Sequence, residues 1–572
     1  MAIDLSLLAG KLRKYREQFQ LSLEELSEAT GIGRESLAAY ELGQKMPTGD
    51  EILILADRYK CDYRFFISNE RLASFEQTET LFRRYGKEFS KNDRWAIQEI
   101  LYLAECEHFL FIRLELFKGK PFTFVKVGTY FKGHAEDAAA ALRQQLGYPD
   151  HVVAMDVYED FRAIGVHVFR RQLENSDISG LFIKHPIAGK CILINYSEDV
   201  YRQRFTAAHE TAHSIFDDEE DFVVSFKKWD RKDLVEVRAN TFASRYLMPP
   251  KFLKGMPKPS VWDEEKATTW ANKLKVSTEA LANALSDLHL IDRQTAETIR
   301  RSRVPKDTKR DPELPDSLSP LQRERKQTLL ERGLSTHYVN RCFEAYHRGI
   351  ISAGRMAEML LVNEPEVYEI AALFGEAINM PVDPCRFYLI NVADTCSVWN
   401  VLSSRVLYTA SLAANCTFSC TGFVYYECMH KPRKKMSNED AELQRRLQQA
   451  KEKGQFQTYY IDIDDLNDLE ILEKRQNLSK GELSSLVFAK RTRQAFFTDD
   501  QGARNLACLC MESEMVQTTT QLFGWLVYVG LLSDSDKDAV IKEHLDFKRP
   551  LRKYFEEIYV RALECKLAYS AR

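Results

Sequence analysis

The sequence predicts a multidomain chain of α and α/β parts, all-helical at its N-terminus. Three observations predict this. Residues 7–68 break into short helical stretches with their own caps and glycine turns. Arg204–Phe216 is a longer helical stretch, free of Pro and Gly, that carries two histidines four residues apart. From residue 386 onward, strand-like and helix-like segments alternate.

The chain has 572 residues, too many for one core, so roughly three or four domains are expected. Hydrophobic content of 45% and charged content of 29% are those of a globular protein. The net charge of −4 excludes a global attraction to nucleic acid, so any such binding is local. The twelve cysteines are scattered, and Met-Ala-Ile-Asp-Leu-Ser at the start lacks a basic leader. The longest apolar run, Leu522–Leu532, is too short to span a bilayer. A cytoplasmic protein with reduced thiols and no membrane partner is expected. Cys416, Cys420 and Cys428 lack the paired spacing of a zinc knuckle and read as core thiols.

Residues 7–68 read as five helices. Ser22 and Glu25 form a capping box, and Leu26–Gly31 is a helix closed by a glycine turn. Arg34–Glu41 is the next helix, ended by Leu42-Gly43 and Pro47. Two helices joined by a tight glycine turn make a helix-turn-helix, whose second helix is offered to the DNA major groove. The pattern, with Glu41, Gly43 and Pro47, resembles the XRE/Cro repressor family. The groove-facing candidates are Arg34, Ser36 and Gln44, with Lys45 near phosphate. Residues 1–68 hold nine Lys and Arg against eleven Asp and Glu, a net −2, so phosphate attraction is weak. The alternative is that residues 1–70 dock a protein or form a homodimer.

Residues 71–120 read as a helical adaptor, with helices around Leu81–Arg84 and Trp95–Leu116. His209-Glu210-Thr211-Ala212-His213 then gives H-E-x-x-H on a helix. Spacing of four projects both imidazoles from one face, where they can chelate one Zn²⁺. Glu210 lies beside that point and can take a proton from water. Glu236, on the helical stretch Glu236–Pro249, is the candidate third ligand. These residues, with Ala239-Asn240-x-Phe242-Ala243, Leu247-Met248-Pro249, Ile178–Ile183 and Ile192–Tyr196, resemble the ImmA/IrrE metallopeptidase family over roughly 120–300. The resemblance implies an α+β zincin-like peptidase over 121–300. It implies His209, His213 and Glu236 as zinc ligands, Glu210 as base, and helix-turn-helix repressors as substrates. Thr211-Ala212 departs from the Leu-Gly often found there. Thr268–Leu290 has a helix-turn-helix rhythm of its own that reads as core packing. Residues 301–380 read as a Pro- and charge-rich linker, Arg301–Pro320, followed by helices with a turn at Gly349–Gly354.

Residues 381–572 read as α/β. A strand over Phe387–Ala393 ends at Asp394, Phe423–Glu427 follows, a helix starts at Gly481-Glu482, and a strand over Gln494–Phe497 ends at Asp499-Asp500. Acids at strand ends and helix starts converge at one edge of an α/β sheet. Such a cluster repels itself unless a divalent cation sits in it, and oxygen ligands suit Mg²⁺ or Mn²⁺. Asp394-Thr395, Glu427, Gly481-Glu482 and Thr498–Arg504 resemble the PIN-domain nuclease family, with Thr518–Leu532 as its closing strand and helix. The resemblance implies a PIN-like fold, Asp394, Glu482 and Asp500 as catalytic metal ligands, and Glu427 and Asp499 as helpers. Lys431–Tyr459 reads as a charged insertion. The alternative is an interaction domain whose acids are solvated helix caps. The basic tail (Lys548, Arg549, Arg552, Lys553, Arg561, Lys566, Arg572) offers local charge to RNA, and Tyr554 and Tyr559 offer rings to stack on bases.

The expected whole is a stress or phage-defence toxin whose metal-dependent RNase is gated by a zinc protease. A DNA-binding regulator that cleaves itself or a partner repressor, with a non-catalytic C-terminal domain, is the alternative. A third reading is a protease whose C-terminal domain only recruits the repressor it cuts.

Overall fold

The computed structural model describes residues 3–69, 73–116, 121–227, 233–256, 262–374, 383–432, 436–467 and 469–570. The chain divides into two compact units, residues 72–339 and residues 1–71 with 340–572.

The 72–339 unit is built on a four-stranded sheet of β1 (His167–Arg171), β2 (Ile178–His185), β3 (Gly189–Asn195) and β4 (Phe222–Phe226), in the order β1-β3-β2-β4. β1 runs parallel to β3, and the other pairs are antiparallel. Consecutive residues of β2 and β3 are buried, so Leu181-Phe182-Ile183 and Ile192-Leu193-Ile194 read as apolar runs rather than alternations. The Val200–Phe216 helix lies on β2 and β3, started by Asp199, whose carboxylate accepts the Tyr201 N–H. The Leu234–Leu247 helix packs against it and against the Phe131–Gln145 helix. Small residues (Ala135, Ala138, Ala139, Ala207, Ala208, Ala212, Ala239, Ala243) fill these crossings and let the helices approach closely. The adaptor consists of helices Ala73–Tyr85 and Lys91–Arg113, the second packed on β1. Ala271, Leu274, Leu281 and Leu285 of the 268–290 stretch sit in the same core.

The stretch Arg301–Pro320, expected as a linker, is largely fastened down. Asp311 and the buried Glu313 both pair with Arg170, and Lys309 pairs with Asp199. Its exposed parts include Pro305–Asp307 and Pro315–Ser317.

In the other unit five helices form as expected: Leu5–Gln18, Leu23–Thr30, Arg34–Glu41, Gly49–Tyr59 and Arg64–Ile67. The Ser22–Glu25 capping box is made, and Thr48–Glu51 forms a second. Arg16 grips Glu41 through both carboxylate oxygens, at 2.7 and 2.8 Å, tying the first helix to the third.

Residues 383–570 surround a wholly parallel sheet of β5 (Ile390–Ala393), β6 (Thr417–Thr421), β7 (Phe456–Tyr459), β8 (Ala495–Phe497) and β9 (Val516–Gln517), in the order β7-β6-β5-β8-β9. Two expectations are corrected here. Phe423–Glu427 belongs to the Gly422–Met429 helix, because the strand has already ended at Thr421, whose hydroxyl caps that helix. The supposed insertion 431–459 holds the Asn438–Glu452 helix and the edge strand β7, so most of it is integral to the fold; residues 433–435 lie outside the described part.

The helix-turn-helix does not stand alone as a 1–70 domain. The Asp50 carboxylate, fully buried at the start of the Gly49–Tyr59 helix, accepts the Phe423 N–H at 3.0 Å and the Ile461 N–H at 2.6 Å. The Gly49 N–H donates to the Ile461 carbonyl at 2.9 Å. A Cβ on Gly49 would lie 2.6 Å from the Asp462 carbonyl, so glycine is required for this contact. Asp50→Ala leaves two buried N–H groups unpaired, at about 1–3 kcal/mol each. Hydrogen exchange of Gly49–Tyr59 is expected to accelerate while that of β5 and β6 is unchanged.

Candidate metal centre

The Val200–Phe216 helix places His209 and His213 one turn apart, with their Nε2 atoms 3.1 Å from each other. The Leu234–Leu247 helix brings the Glu236 carboxylate 3.4 Å from His209 Nε2 and 3.5 Å from His213 Nε2. Among the described residues, this is the one group of three His, Cys, Asp or Glu side chains whose donor atoms all lie within 4.8 Å of each other. Burial opposes charge on His213, but the Asp217 and Glu236 carboxylates raise its pKa to about 10. Burial alone would raise the Glu236 pKa, but the two imidazoles hold it well below the carboxylate range. These donors are arranged around a positive charge, and a cation seated among them takes the place of the proton.

Glu210 points from the same helix and is fully buried. Neither of its oxygens makes a hydrogen bond of standard geometry. Burial raises its pKa, while the two imidazoles pull it down. A buried carboxylate with no hydrogen bond of standard geometry and the Ser225 hydroxyl as its neighbour, beside a two-His, one-Glu donor set, fits a zinc centre with its base.

Three supporting residues escaped the sequence reading. Asp217 accepts from His213 Nδ1 at 2.8 Å, which fixes the tautomer and leaves Nε2 as the donor to metal. Arg238 donates to the other oxygen of Asp217. Its guanidinium lies between the Phe131 and Phe216 rings, at 5.0 and 4.8 Å. Asp217 therefore joins the helix of His213 to the helix of Glu236. Its spacing of four from His213 was a usable signal, whereas Arg238 needed the packing. Gly180 on β2 is the third: a Cβ there would lie 2.7 Å from both Glu210 Oε1 and Thr206 Cγ2.

The acidic residues of the C-terminal sheet are brought together in part. The strand order reverses between β5 and β8, and Asp394 and Asp499-Asp500 leave the C-terminal ends of those two strands. Asp394 caps its helix through the Ser397 N–H at 2.9 Å, and Asp500 caps its own through the Ala503 N–H at 2.6 Å. Glu482 closes a capping box with Ser479. All three are caps, yet each is less than 5% exposed, so they are not solvated. Burial, then the charges of Asp500 and Asp394, push Glu482 well above the carboxylate range, and burial pushes Asp394 up to about 7. The expected helpers are otherwise engaged. Asp499 accepts the Thr519 N–H and hydroxyl and the Asn400 amide, at 2.7, 2.5 and 2.8 Å. Glu427 holds the Thr395 hydroxyl at 2.5 Å and Lys431 at 2.9 Å.

Of the described basic residues of the tail, Lys548, Arg552, Lys553, Arg561 and Lys566 are exposed. Arg549 is buried, Lys548 pairs with Glu439, Arg552 with Glu556 and Lys553 with Glu557; Arg572 lies outside the described residues. Tyr559 is buried and bonded to Asp534, so it is not a stacking platform. On the helix-turn-helix, Arg34, Gln44 and Lys45 are exposed and Ser36 is half-buried; Arg34 pairs with Glu24 on the surface.

A family model described as IrrE N-terminal-like domain matches residues 161–286, which include His209, Glu210, His213 and Glu236. A model described as Helix-turn-helix matches residues 12–66, which include Arg34, Ser36, Gln44 and Lys45. No curated protein matches the chain. Neither family match reaches the parallel sheet. The chain therefore combines a helix-turn-helix with an IrrE-like peptidase region. No described helix is long and apolar enough to cross a membrane.

Asp217→Ala is expected to weaken zinc binding about 10–100-fold, read by competition with a chelator, since His213 loses its orienting partner.

Proposed function

We propose that this chain is a zinc metallopeptidase joined to a helix-turn-helix regulator, and that it cuts a helix-turn-helix repressor or itself. The convergence of His209 Nε2, His213 Nε2 and Glu236 beside the buried Glu210 carries this reading. His209, His213 and Glu236 hold the zinc; when bound, zinc polarises a carbonyl and acidifies water. Glu210 accepts the proton of the attacking water and returns it to the departing amine. β2, with no side chain at Gly180, leaves Glu210 room to reach that water. Arg34, Ser36, Gln44 and Lys45 contact DNA. In the self-cleavage version, the stretch Arg301–Pro320, with exposed parts such as Pro305–Asp307 and Pro315–Ser317, is the place for a cut that releases residues 321–572.

Residues 381–572 have a second reading, favoured by the carboxylates at the strand-order reversal of a parallel sheet. In it, Asp394, Glu482 and Asp500 hold Mg²⁺ or Mn²⁺, a PIN-type site cuts RNA, and the whole chain is a defence toxin gated by its protease. A divalent ion there would neutralise charge on a phosphodiester. Asp499 and Glu427 then orient the helices that carry the ligands.

Purified full-length protein is expected to contain zinc, and Glu210→Gln to keep it while proteolysis of a repressor or of the chain falls about 10²–10⁴-fold. Zinc-free wild type, or zinc lost in Glu210→Gln, would sink the peptidase assignment. Asp394→Ala is expected to abolish the Mn²⁺-dependent cutting of RNA that the chain shows once its gate is released; cutting that survives both this change and EDTA rules the acidic site out.

A further inference from the structure

Two of the three buried carboxylates at the end of the parallel sheet, Glu482 and Asp500, are met by a segment far away in sequence, Ile351–Ala353 and the start of the Ala353–Met359 helix. The Ser352 hydroxyl donates to Glu482, and the Ala353 N–H donates to Asp500 Oδ2 at 2.6 Å. The fit leaves no spare room. A Cβ on Gly354 would come within 2.6 Å of Glu482 Oε1, and one on Gly502 within 2.8 Å of the Ile351 carbonyl. Two further bonds hold the segment down: the Ser352 N–H to the Asn477 carbonyl at 3.0 Å, and the Asn477 amide to the Ile350 carbonyl at 2.7 Å.

The far end of this strap is tied to the helix-turn-helix by buried charge. Glu358 accepts the Lys480 N–H at 2.7 Å, and its carboxylate lies 3.7 Å from the Lys480 ammonium. That ammonium is 3.9 Å from Asp57 on the Gly49–Tyr59 helix. Asp57 is 2% exposed and also meets Lys431 at 3.2 Å and Lys60 at 3.2 Å. Burial alone would raise the Asp57 pKa; Lys431, Lys60 and Lys480 together hold it far below the carboxylate range. Lys431 passes the connection to Glu427, which holds Thr395, the residue after Asp394. Taking Asp57 away leaves buried ammonium groups short of a counter-charge, so the network favours having all its members in place.

We propose that residues 350–359 are an autoinhibitory strap over Glu482 and Asp500, and so over the carboxylate cluster they form with Asp394, latched by the docked helix-turn-helix through Asp57, Lys480 and Glu358. Loss of the helix-turn-helix contact unlatches the strap and opens the carboxylates. The coupling rests on packing and holds whether or not the carboxylates bind a metal.

Ala353 suits the test because it is the first residue of its helix, where proline is tolerated, and Ser352 before it (φ −79°, ψ 165°) already has the backbone that proline demands. Ala353→Pro therefore removes the N–H to Asp500 and keeps the helix. In the full chain, two signals report opening: hydrogen exchange over 350–359, and labelling of Asp394, Glu482 and Asp500 by a carbodiimide with glycine ethyl ester. Wild type is expected to be protected and unlabelled. Ala353→Pro is expected to label, and Asp57→Asn both to label and to exchange at least roughly tenfold faster over 350–359. Glu358→Ala removes both the charge facing Lys480 and the acceptor of its N–H, leaves Asp57 with Lys431 and Lys60, and is expected to open the strap with Gly49–Tyr59 still protected. It also decides the matter if Asp57→Asn exposes β5 and β6 as well. The proposal is overturned if 350–359 stays protected and the carboxylates unlabelled in Glu358→Ala, or in Asp57→Asn while Gly49–Tyr59 exchanges freely. Metal binding is read apart from this: a strap that opens without any gain in Mn²⁺ binding refutes the metal reading and leaves the latch standing.

Discussion

Two imidazole nitrogens 3.1 Å apart inside a buried helix surface repel unless something positive lies between them. That constraint organises the 72–339 unit. The pair needs a counter-charge, so the Leu234–Leu247 helix must deliver Glu236 to within 3.5 Å. This demands close helix crossings, which the alanines of three helices permit. It also demands a fixed ring orientation, which Asp217 imposes from one turn away. Glu210, buried without a standard hydrogen bond, is tolerable only where a bound group repays its lost solvation. The sheet beneath supplies the rigid base, with Gly180 placed where any side chain would strike that carboxylate.

The other unit obeys a related rule with opposite charges. Asp57 is buried among ammonium groups, and Glu482 among carboxylates. The first cluster is satisfied by charge. The second is satisfied by a hydroxyl and a backbone N–H from the strap. Lys480 and Glu482 sit two residues apart on one helix, so the two clusters share a support. The helix-turn-helix thus has two faces with separate uses. Its Gly49–Tyr59 face is sealed by the parallel-sheet domain, while Arg34, Gln44 and Lys45 remain open.

Local features were legible in the sequence because they rest on periodicity and short-range hydrogen bonds. The H-E-x-x-H helix, the Ser22–Glu25 capping box, the five N-terminal helices and the strand before Asp394 all depend on residues within one or two turns of each other. Glu236 was legible as a carboxylate on a neighbouring amphipathic helix and through the family resemblance, while its approach to the two imidazoles belongs to the packing of the two helices. The edge strand β7 was missed because it follows a charged helix in a stretch that looks like an insertion. Asp499 and Glu427 were assigned as helpers by the family resemblance, and a motif does not reveal that Thr519, Asn400, Thr395 and Lys431 already occupy their oxygens.

The sequence alone determined that His209 and His213 share one helix face, since a spacing of four on a helix admits one geometry. It also determined that the chain is built of helical and α/β parts, since these follow from local pattern. Tertiary structure decided what covers what. Asp50 bonds to residues 423 and 461, Asp57 meets Lys431 and Lys480, and Ser352 reaches Glu482. Separations of more than a hundred residues leave no periodic trace in the sequence. Buried acids read as ordinary solvated caps until the segment that buries them is in place, because the cost of desolvation belongs to the packed state and not to the residue.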